Sequence, residues 1–287
     1  MKKFVLTSFF KLADYISRLS SGRLLLAWLS TCLATHYTNR KVVIFYSAGA
    51  WFRLDGQIFI ALGRVLRLRR NTICRWKTGG RDVFDERQGW WFLHYRPSLG
   101  DIIIDVGAGM GEDSYVFSQG VGPSGQVMAI EAHPETYRVL ESFIKCNNLI
   151  NVYPHLFAAS NQSGFVQISS PLDADWQLST IVNSHHNSDG LRVPCRRLDD
   201  IVDFAHSIIS FMKINIEGAE YMALEGAPRL LARTQNICVC CHDFLGPNTK
   251  TKDAVCRLLD QAGFSLFFTS PDSPPYQRDF VYGKKRL

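Results

Sequence analysis

The chain has 287 residues, 46% of them hydrophobic and 20% charged, which suits one globular α/β domain of about 190 residues with an extra N-terminal segment and excludes a disordered chain. Its net charge of +6 is unevenly spread: residues 1–98 hold 17 Lys and Arg against 5 Asp and Glu, whereas residues 99–287 hold 15 against 21. The eight cysteines (Cys32, Cys74, Cys146, Cys195, Cys238, Cys240, Cys241, Cys256) form no paired CxxC hooks, so they read as free thiols of a reducing, cytoplasmic compartment, with no metal site expected.

Residues 1–35 carry apolar side chains (Phe4, Phe9, Phe10, Leu24, Leu25, Leu26, Trp28, Leu29) interspersed with Lys2, Lys3, Lys11, Arg18 and Arg23. No uncharged run reaches spanning length, and the early charges fit a signal peptide poorly. Two readings stand: an amphipathic helix on an anionic membrane, peripheral at the inner face, or a helix packed on the catalytic domain or on a second subunit of a homodimer. From Lys41 to Arg70, Val42–Tyr46 and Gln57–Ile60 flank the Asp55-Gly56 turn signal and predict a small hairpin. Residues 1–78 are thus an accessory segment, helix plus hairpin, and residues 79–287 the main domain. Arg64, Arg67, Arg69, Arg70 and Arg75-Trp76-Lys77 precede Trp90-Trp91. No RNA-binding motif accompanies them, so nucleic acid is not an expected partner and they read as a solvated edge or substrate wall.

Ile102-Ile103-Ile104 reads as a strand buried on both faces, ending in Asp105 and then the spaced glycines Gly107, Gly109 and Gly111. A strand that turns into a helix through such glycines lets a ligand approach the backbone and the helix N-terminus. The spacing is GxGxG, not the GxGxxG of a dinucleotide loop, and a carboxylate beside it suits an amino group and a cationic sulfonium better than a pyrophosphate. Gln126–Glu131 is a second strand, ending in a carboxylate placed for ribose hydroxyls. Together these point to S-adenosylmethionine; a nicotinamide or flavin enzyme, or a glycine turn without a ligand, are the alternatives.

Pro134–Asn147 has the 3.6 period of an amphipathic helix, and Asn151–Phe157 is a strand leading to Ala158 and Ala159, small residues on which an adenine ring can rest. Residues 165–169 and 191–195 read as strands around a polar loop with His185 and His186, taken as loop residues. Arg197–Val202 is a short helix, and Ile208–Ile216 a buried strand. Its end, Lys213-Ile214-Asn215-Ile216-Glu217, places three polar side chains on one face, a costly arrangement without partners or a job. Helices at Tyr221–Ala232 and Asp253–Ala262 and strands at Ile237–Cys241, Phe264–Thr269 and Phe280–Tyr282 complete the alternation. Asp105, Glu131, Asn215, Glu217 and His242 would converge beyond the strand C-termini.

The stretches IDVGAGMGE (104–112), AIEAHPETY (129–137), RLDDIV (197–202) and above all KINIEGAE (213–220) resemble the FkbM-type S-adenosylmethionine-dependent methyltransferases, over about residues 79–283. The resemblance implies a class I methyltransferase Rossmann-like fold, a seven-stranded, mostly parallel sheet with helices on both faces. It implies methyl transfer to a hydroxyl of a sugar, glycolipid or polyketide-like acceptor. By position, Asp105, Gly107, Ala108, Gly109 and Gly111 would contact the methionine part of the cofactor, and Glu131 with Ala132 the ribose. Two departures stand out: Gly109-Met110 replaces Asn-Ile, and Asn215 replaces the aspartate of KIDVEG. Asparagine orients a hydroxyl but cannot take its proton, so His242, or else Glu217, is the expected general base. A catalytically silent binder of S-adenosylmethionine is the alternative reading of Asn215.

Overall fold

The computed structural model describes residues 20–47, 49–63, 66, 79–168, 190–201, 207–243 and 250–286. Contacts group the chain into two units, residues 1–87 with 138–149, and residues 88–137 with 150–287.

In the first unit, helix α1 (Ser20–Thr38) lies against a three-stranded antiparallel sheet in the order β1 (Val42–Ser47), β2 (Ala50–Asp55), β3 (Ile58–Gly63). The expected hairpin is thus corrected to three strands. The strand not anticipated is β2, whose Ala50, Trp51, Phe52 and Arg53 are all buried, so its sequence lacks the polar alternation that marks a half-exposed strand. Side chains satisfy groups at both outer strands. The Thr31 hydroxyl accepts the Ile44 N–H at 2.8 Å and the Thr35 hydroxyl donates to the Val42 carbonyl at 3.3 Å. On β3, the Asn147 side chain accepts the Phe59 N–H at 3.0 Å and donates to the Phe59 carbonyl at 3.1 Å. Strand groups paired in this way are no template for another chain. Residues 1–19 of the expected N-terminal helix and the arginine-rich stretch from 67 to 78 lie outside the described residues.

Helix α2 (Gly80–Trp91) was not expected from the sequence; the Asp55 carboxylate accepts the Gly80 N–H at its start. Trp91, at its end, is buried and stacks on Phe280 with ring centroids 5.2 Å apart. The reading of this tryptophan as part of a solvated edge is corrected accordingly.

The second unit is built on β4 (Ile102–Val106), α3 (Glu112–Val121), β5 (Gln126–Glu131), β6 (Val152–Leu156), β10 (Ile209–Ile214), β11 (Thr234–Cys240), α7 (Lys252–Gln261), β12 (Phe264–Phe268), the short α8 (Pro275–Arg278) and β13 (Phe280–Lys285), with α4 (Pro134–Cys146) between β5 and β6 in the chain. Its strand order is β12-β13-β11-β10-β4-β5-β6, and only β13 runs antiparallel to its neighbours. This is the expected seven-stranded, mostly parallel sheet. The chain runs outward from β4 through β5 to β6 and returns to β10 on the other side of β4. The crevice beyond the carboxyl ends of β4 and β10 is therefore where such a sheet binds ligands. Ile104, Val106, Met128, Ile130, Met212, Ile214, Ile237 and Val239 form the core across the central strands.

A second small sheet, in the order β7 (Ala158–Ala159), β9 (Leu191–Arg196), β8 (Gly164–Ile168), brings together the two expected irregular strands as an antiparallel pair. The loop with His185 and His186 lies outside the described residues. Two helix expectations are corrected. Residues 221–232 form two helices, α5 (Glu220–Glu225) and α6 (Pro228–Ala232), because Pro228 cannot continue the first and opens the second; at the break Gly226 passes so close to Ser160 that an added Cβ would stand 2.0 Å from its carbonyl oxygen. Residues 198–200 form a single 3-10 turn, from which the Asp199 carboxylate accepts the N–H groups of Arg229 and Leu230 and caps α6.

Candidate cofactor and acceptor site

The glycine loop joins the end of β4 to α3. The N–H groups of Gly107 and Ala108 both donate to the Ile130 carbonyl at 2.9 Å, tying the loop to β5. Gly107 (φ +81°) has no room for a side chain, since a Cβ there would stand 2.0 Å from the Asn215 carbonyl oxygen. Gly109 (φ +57°) differs: no atom lies within 4 Å of where its Cβ would be, and its N–H donates to Glu131 Oε2 at 2.9 Å. Gly107 thus serves strand packing, whereas the space beside Gly109 is open. Gly111 ends the loop immediately before α3.

Under the loop lies a buried ion cluster. Asp105 has no exposed surface and accepts from Lys213 Nζ at 2.8 Å and from Ser114 Oγ at 2.6 Å. Lys213 Nζ also lies 3.2 Å from Asp113 Oδ2 and donates to the Gly107 carbonyl at 2.7 Å, while Trp91 Nε1 donates to Asp113 Oδ1 at 2.8 Å. Burial disfavours the ammonium, but two carboxylates outweigh it and push the lysine pKa up. Burial first, and then the charge of Asp113, push the Asp105 pKa up although Lys213 and Ser114 pull it down. The structure does not place Asp105 against open space. Its contacts are instead with Ser114 and with Lys213, which in turn holds the Gly107 carbonyl of the loop.

Glu131 is half-buried at the end of β5, with Oε1 accepting the His133 N–H at 2.8 Å and Oε2 the Gly109 N–H. Burial raises its pKa to about 7 against the pull of these donors. Each oxygen keeps a lone pair, and two hydroxyl donors would favour the charged form. Ala132 is half-buried beside it, and Ala158 and Ala159 are buried in β7. An open glycine, a carboxylate with acceptor capacity to spare and small residues beyond β6 fit an adenosyl cofactor.

At the end of β10, Asn215 donates its backbone N–H to the Val106 carbonyl, and its buried Oδ1 has no hydrogen-bond partner among the described residues. Glu217 takes the left-handed conformation (φ +54°), which costs a non-glycine residue about 1 kcal/mol and is tolerated where the surroundings impose it. Glu217 Oε2 lies 3.1 Å from Nε2 of His242, whose Nδ1 is 2.6 Å from Glu220 Oε1. Glu220 also accepts from Thr251 Oγ1 and the Gly218 N–H. Burial would push the histidine pKa down, but hydrogen bonds to Glu217 and Glu220 and their charges hold it up at about 9. With its pKa raised to about 9, His242 is a poor proton acceptor at neutral pH, which argues against the expectation that it is the general base; Glu217 Oε2 stands 3.1 Å from its Nε2 without a well-aligned hydrogen bond.

The clamp gives a pH prediction. A histidine whose folded pKa lies above its unfolded value of about 6.5 adds stability that is complete below pH 6.5 and is lost as pH rises through about 9. Unfolding in urea should show a decline on the order of 3 kcal/mol across that window, and His242→Gln should flatten it. An unchanged slope in the variant would mean that the imidazole is neutral in the fold.

Trp91, Asp113, Ser114, Glu220 and Thr251 belong to these clusters but are not legible as site residues. Only Glu220, inside KINIEGAE, and Asp113, in the first turn of α3, carried a signal that could have found them. Among the described residues no His, Cys, Asp and Glu are grouped to hold a metal.

The profile of one protein family, the methyltransferase FkbM domain, matches residues 105–266, more than half of the chain, from the glycine loop into β12. No curated protein matches in sequence. Among solved structures, the chain is similar to the methyltransferase FkbM of Methylobacillus flagellatus KT, at 18% identity over 74% of this chain and 52% of that one, TM-score 0.48. It is also similar to the fibrillarin of Aeropyrum pernix with natively bound S-adenosyl-L-methionine (13% identity, 70% and 75% covered, TM-score 0.44). A third is an S-adenosylmethionine-dependent O-methyltransferase of Thermotoga maritima (16% identity, 72% and 65% covered, TM-score 0.41). The chain spans about half the length of the Methylobacillus flagellatus protein. With the glycine loop, Glu131 and the KINIEGAE turn all inside the matched region, the chain belongs to the family of the FkbM methyltransferase domain, with its class I fold and S-adenosylmethionine as cofactor.

Proposed function

We propose that the protein transfers the methyl group of S-adenosylmethionine to a hydroxyl oxygen of a sugar, glycolipid or polyketide-like acceptor. The observation that carries this reading is the half-buried Asn215 side chain at the strand end beside the glycine loop, whose Oδ1 has no hydrogen-bond partner among the described residues and meets an acceptor hydroxyl once the side chain turns outward. A buried acceptor without a donor is costly, and a hydroxyl hydrogen supplies the missing partner. The bound cofactor would supply an electrophilic methyl on a sulfonium. Gly109 leaves room for its backbone approach, Glu131 holds the ribose, and Asn215 aims the acceptor oxygen. Among the described residues at this strand end Glu217 is the remaining candidate base, and the rate rests largely on positioning. A cleft of about 500 Å³ beyond the carboxyl ends of β11 and β12, lined by Asp243, Lys252, Phe268, Thr269, Arg278 and Asp279 but by none of Gly109, Glu131 and Asn215, offers charged groups and an aromatic face to a part of the acceptor away from the reacting hydroxyl.

The absence of a strong base beside Asn215 among the described residues also favours a second reading, a silent binder of the cofactor. Incubation of the protein with labelled S-adenosylmethionine and a cell extract, followed by product identification, tests both. The first reading expects an O-methylated product, and Asn215→Asp to change turnover within about tenfold, since positioning survives the substitution. Binding of S-adenosylhomocysteine with transfer only by the aspartate variant would establish the silent binder instead. A product methylated on nitrogen or carbon would overturn the hydroxyl acceptor.

A further inference from the structure

Helix α1 is amphipathic the wrong way round. The face it turns to β1 is mostly small or hydroxylic, with Ser30, Thr31, Ala34 and Thr35 beside Leu26, and two of its threonines bond to strand backbone. The N-terminal half of the helix carries large apolar side chains in solvent: Leu24 is 80% exposed, Trp28 63%, Leu25 54%, and Leu29 extends the same patch. Positions 24, 25, 28 and 29 share one helical face, so this is a continuous stripe. Through residue 41 the chain carries seven Lys and Arg and a single acidic residue. Arg23, stacked over Tyr46, stands at one end of the stripe, and beyond the far end of the helix come Arg40, near Asp55 and Asp82, and the exposed Lys41.

We propose that this face of α1 docks on an anionic lipid bilayer, lying in the headgroup region with Leu24, Leu25, Trp28 and Leu29 inserted. An apolar face between cationic ends matches a surface that is apolar below and negative above. A second copy of the chain fits less well. Antiparallel pairing would set basic ends against basic ends, and four side chains fall short of the roughly 800 Å² per partner that a stable dimer buries. No described helix is long and apolar enough to cross a membrane, in keeping with a helix that lies on it.

The test is sedimentation of the full chain with vesicles of equal parts phosphatidylserine and phosphatidylcholine, against phosphatidylcholine alone. The wild type should pellet with the anionic vesicles at low salt, and the bound fraction should fall about tenfold as salt rises to 0.5 M. Leu25→Glu with Trp28→Glu should lower binding at least as much without changing the melting temperature, because both side chains are already in solvent. Three results would overturn the proposal: no pelleting at low salt, equal binding to neutral vesicles, or a concentration-dependent dimer without lipid binding that the double variant dissociates. Should the double variant unfold, Leu24→Lys with Leu29→Lys replaces it, with the same loss of insertion expected although positive charge is added.

Discussion

Lys213→Met is expected to destabilise the protein by about 3–5 kcal/mol, a large share of the 5–15 kcal/mol that typical domains hold in reserve. The methionine fills similar volume, so packing is not the cause. The variant leaves Asp105 and Asp113 facing each other in a buried site without their cation, and the Gly107 carbonyl without its donor. Urea unfolding followed by tryptophan fluorescence measures the loss. Two companions isolate the charge. Lys213→Met with Asp105→Asn should recover at least half of it, because one of two repelling carboxylates is gone. The single variant should also gain stability as pH falls from 7 to 5: the folded pKa of Asp105 is already raised, removing lysine raises it further, and a penalty on the charged form disappears as the proton binds. A cost under about 1 kcal/mol for Lys213→Met would mean that the cluster is open to water.

The second large effect separates two glycines of the same loop. Gly107→Ala should cost more than about 3 kcal/mol or prevent folding, since the added methyl meets the Asn215 carbonyl and Ile216 Cγ2 and the residue sits at φ +81°. The clash is with backbone, so relief requires β4 and β10 to part. Gly109→Ala meets nothing within 4 Å and should cost only the left-handed backbone penalty of about 1 kcal/mol. Its methyl, however, projects into the space left for the cofactor. Calorimetry with S-adenosylhomocysteine should then show affinity lowered at least about tenfold in a protein that still folds. Unchanged affinity in Gly109→Ala would place the cofactor elsewhere, and a stable Gly107→Ala protein would contradict the close approach of the two strand ends.

Much of the second unit was legible because its signals are local. Ile102–Ile104, Gln126–Glu131 and Ile209–Ile214 are runs of apolar residues too short for helices, and each ends in the polar or glycine residue that the sheet carries to its carboxyl edge. β2 was not legible, since a buried arginine inside Ala-Trp-Phe-Arg breaks any period a strand would show. The break between α5 and α6 carries a local signal, Gly226-Ala227-Pro228, but the need for glycine at 226 comes from Ser160, 66 positions earlier in the chain.

The amino-acid sequence by itself determined the α/β alternation, the glycine loop with a carboxylate on either side, and the family, because these depend on residue type and spacing along a few turns or strands. What each ionisable group does was decided only by the tertiary structure. Asp105 read as a ligand carboxylate until Lys213, 108 positions away, was brought to 2.8 Å and took its charge. His242 read as a base until Glu217 and Glu220 were brought within 3.1 and 2.6 Å of its two nitrogens and pushed its pKa up. Protonation depends on burial and on charges within a few ångströms, and those neighbours come from distant parts of the chain that no local pattern records.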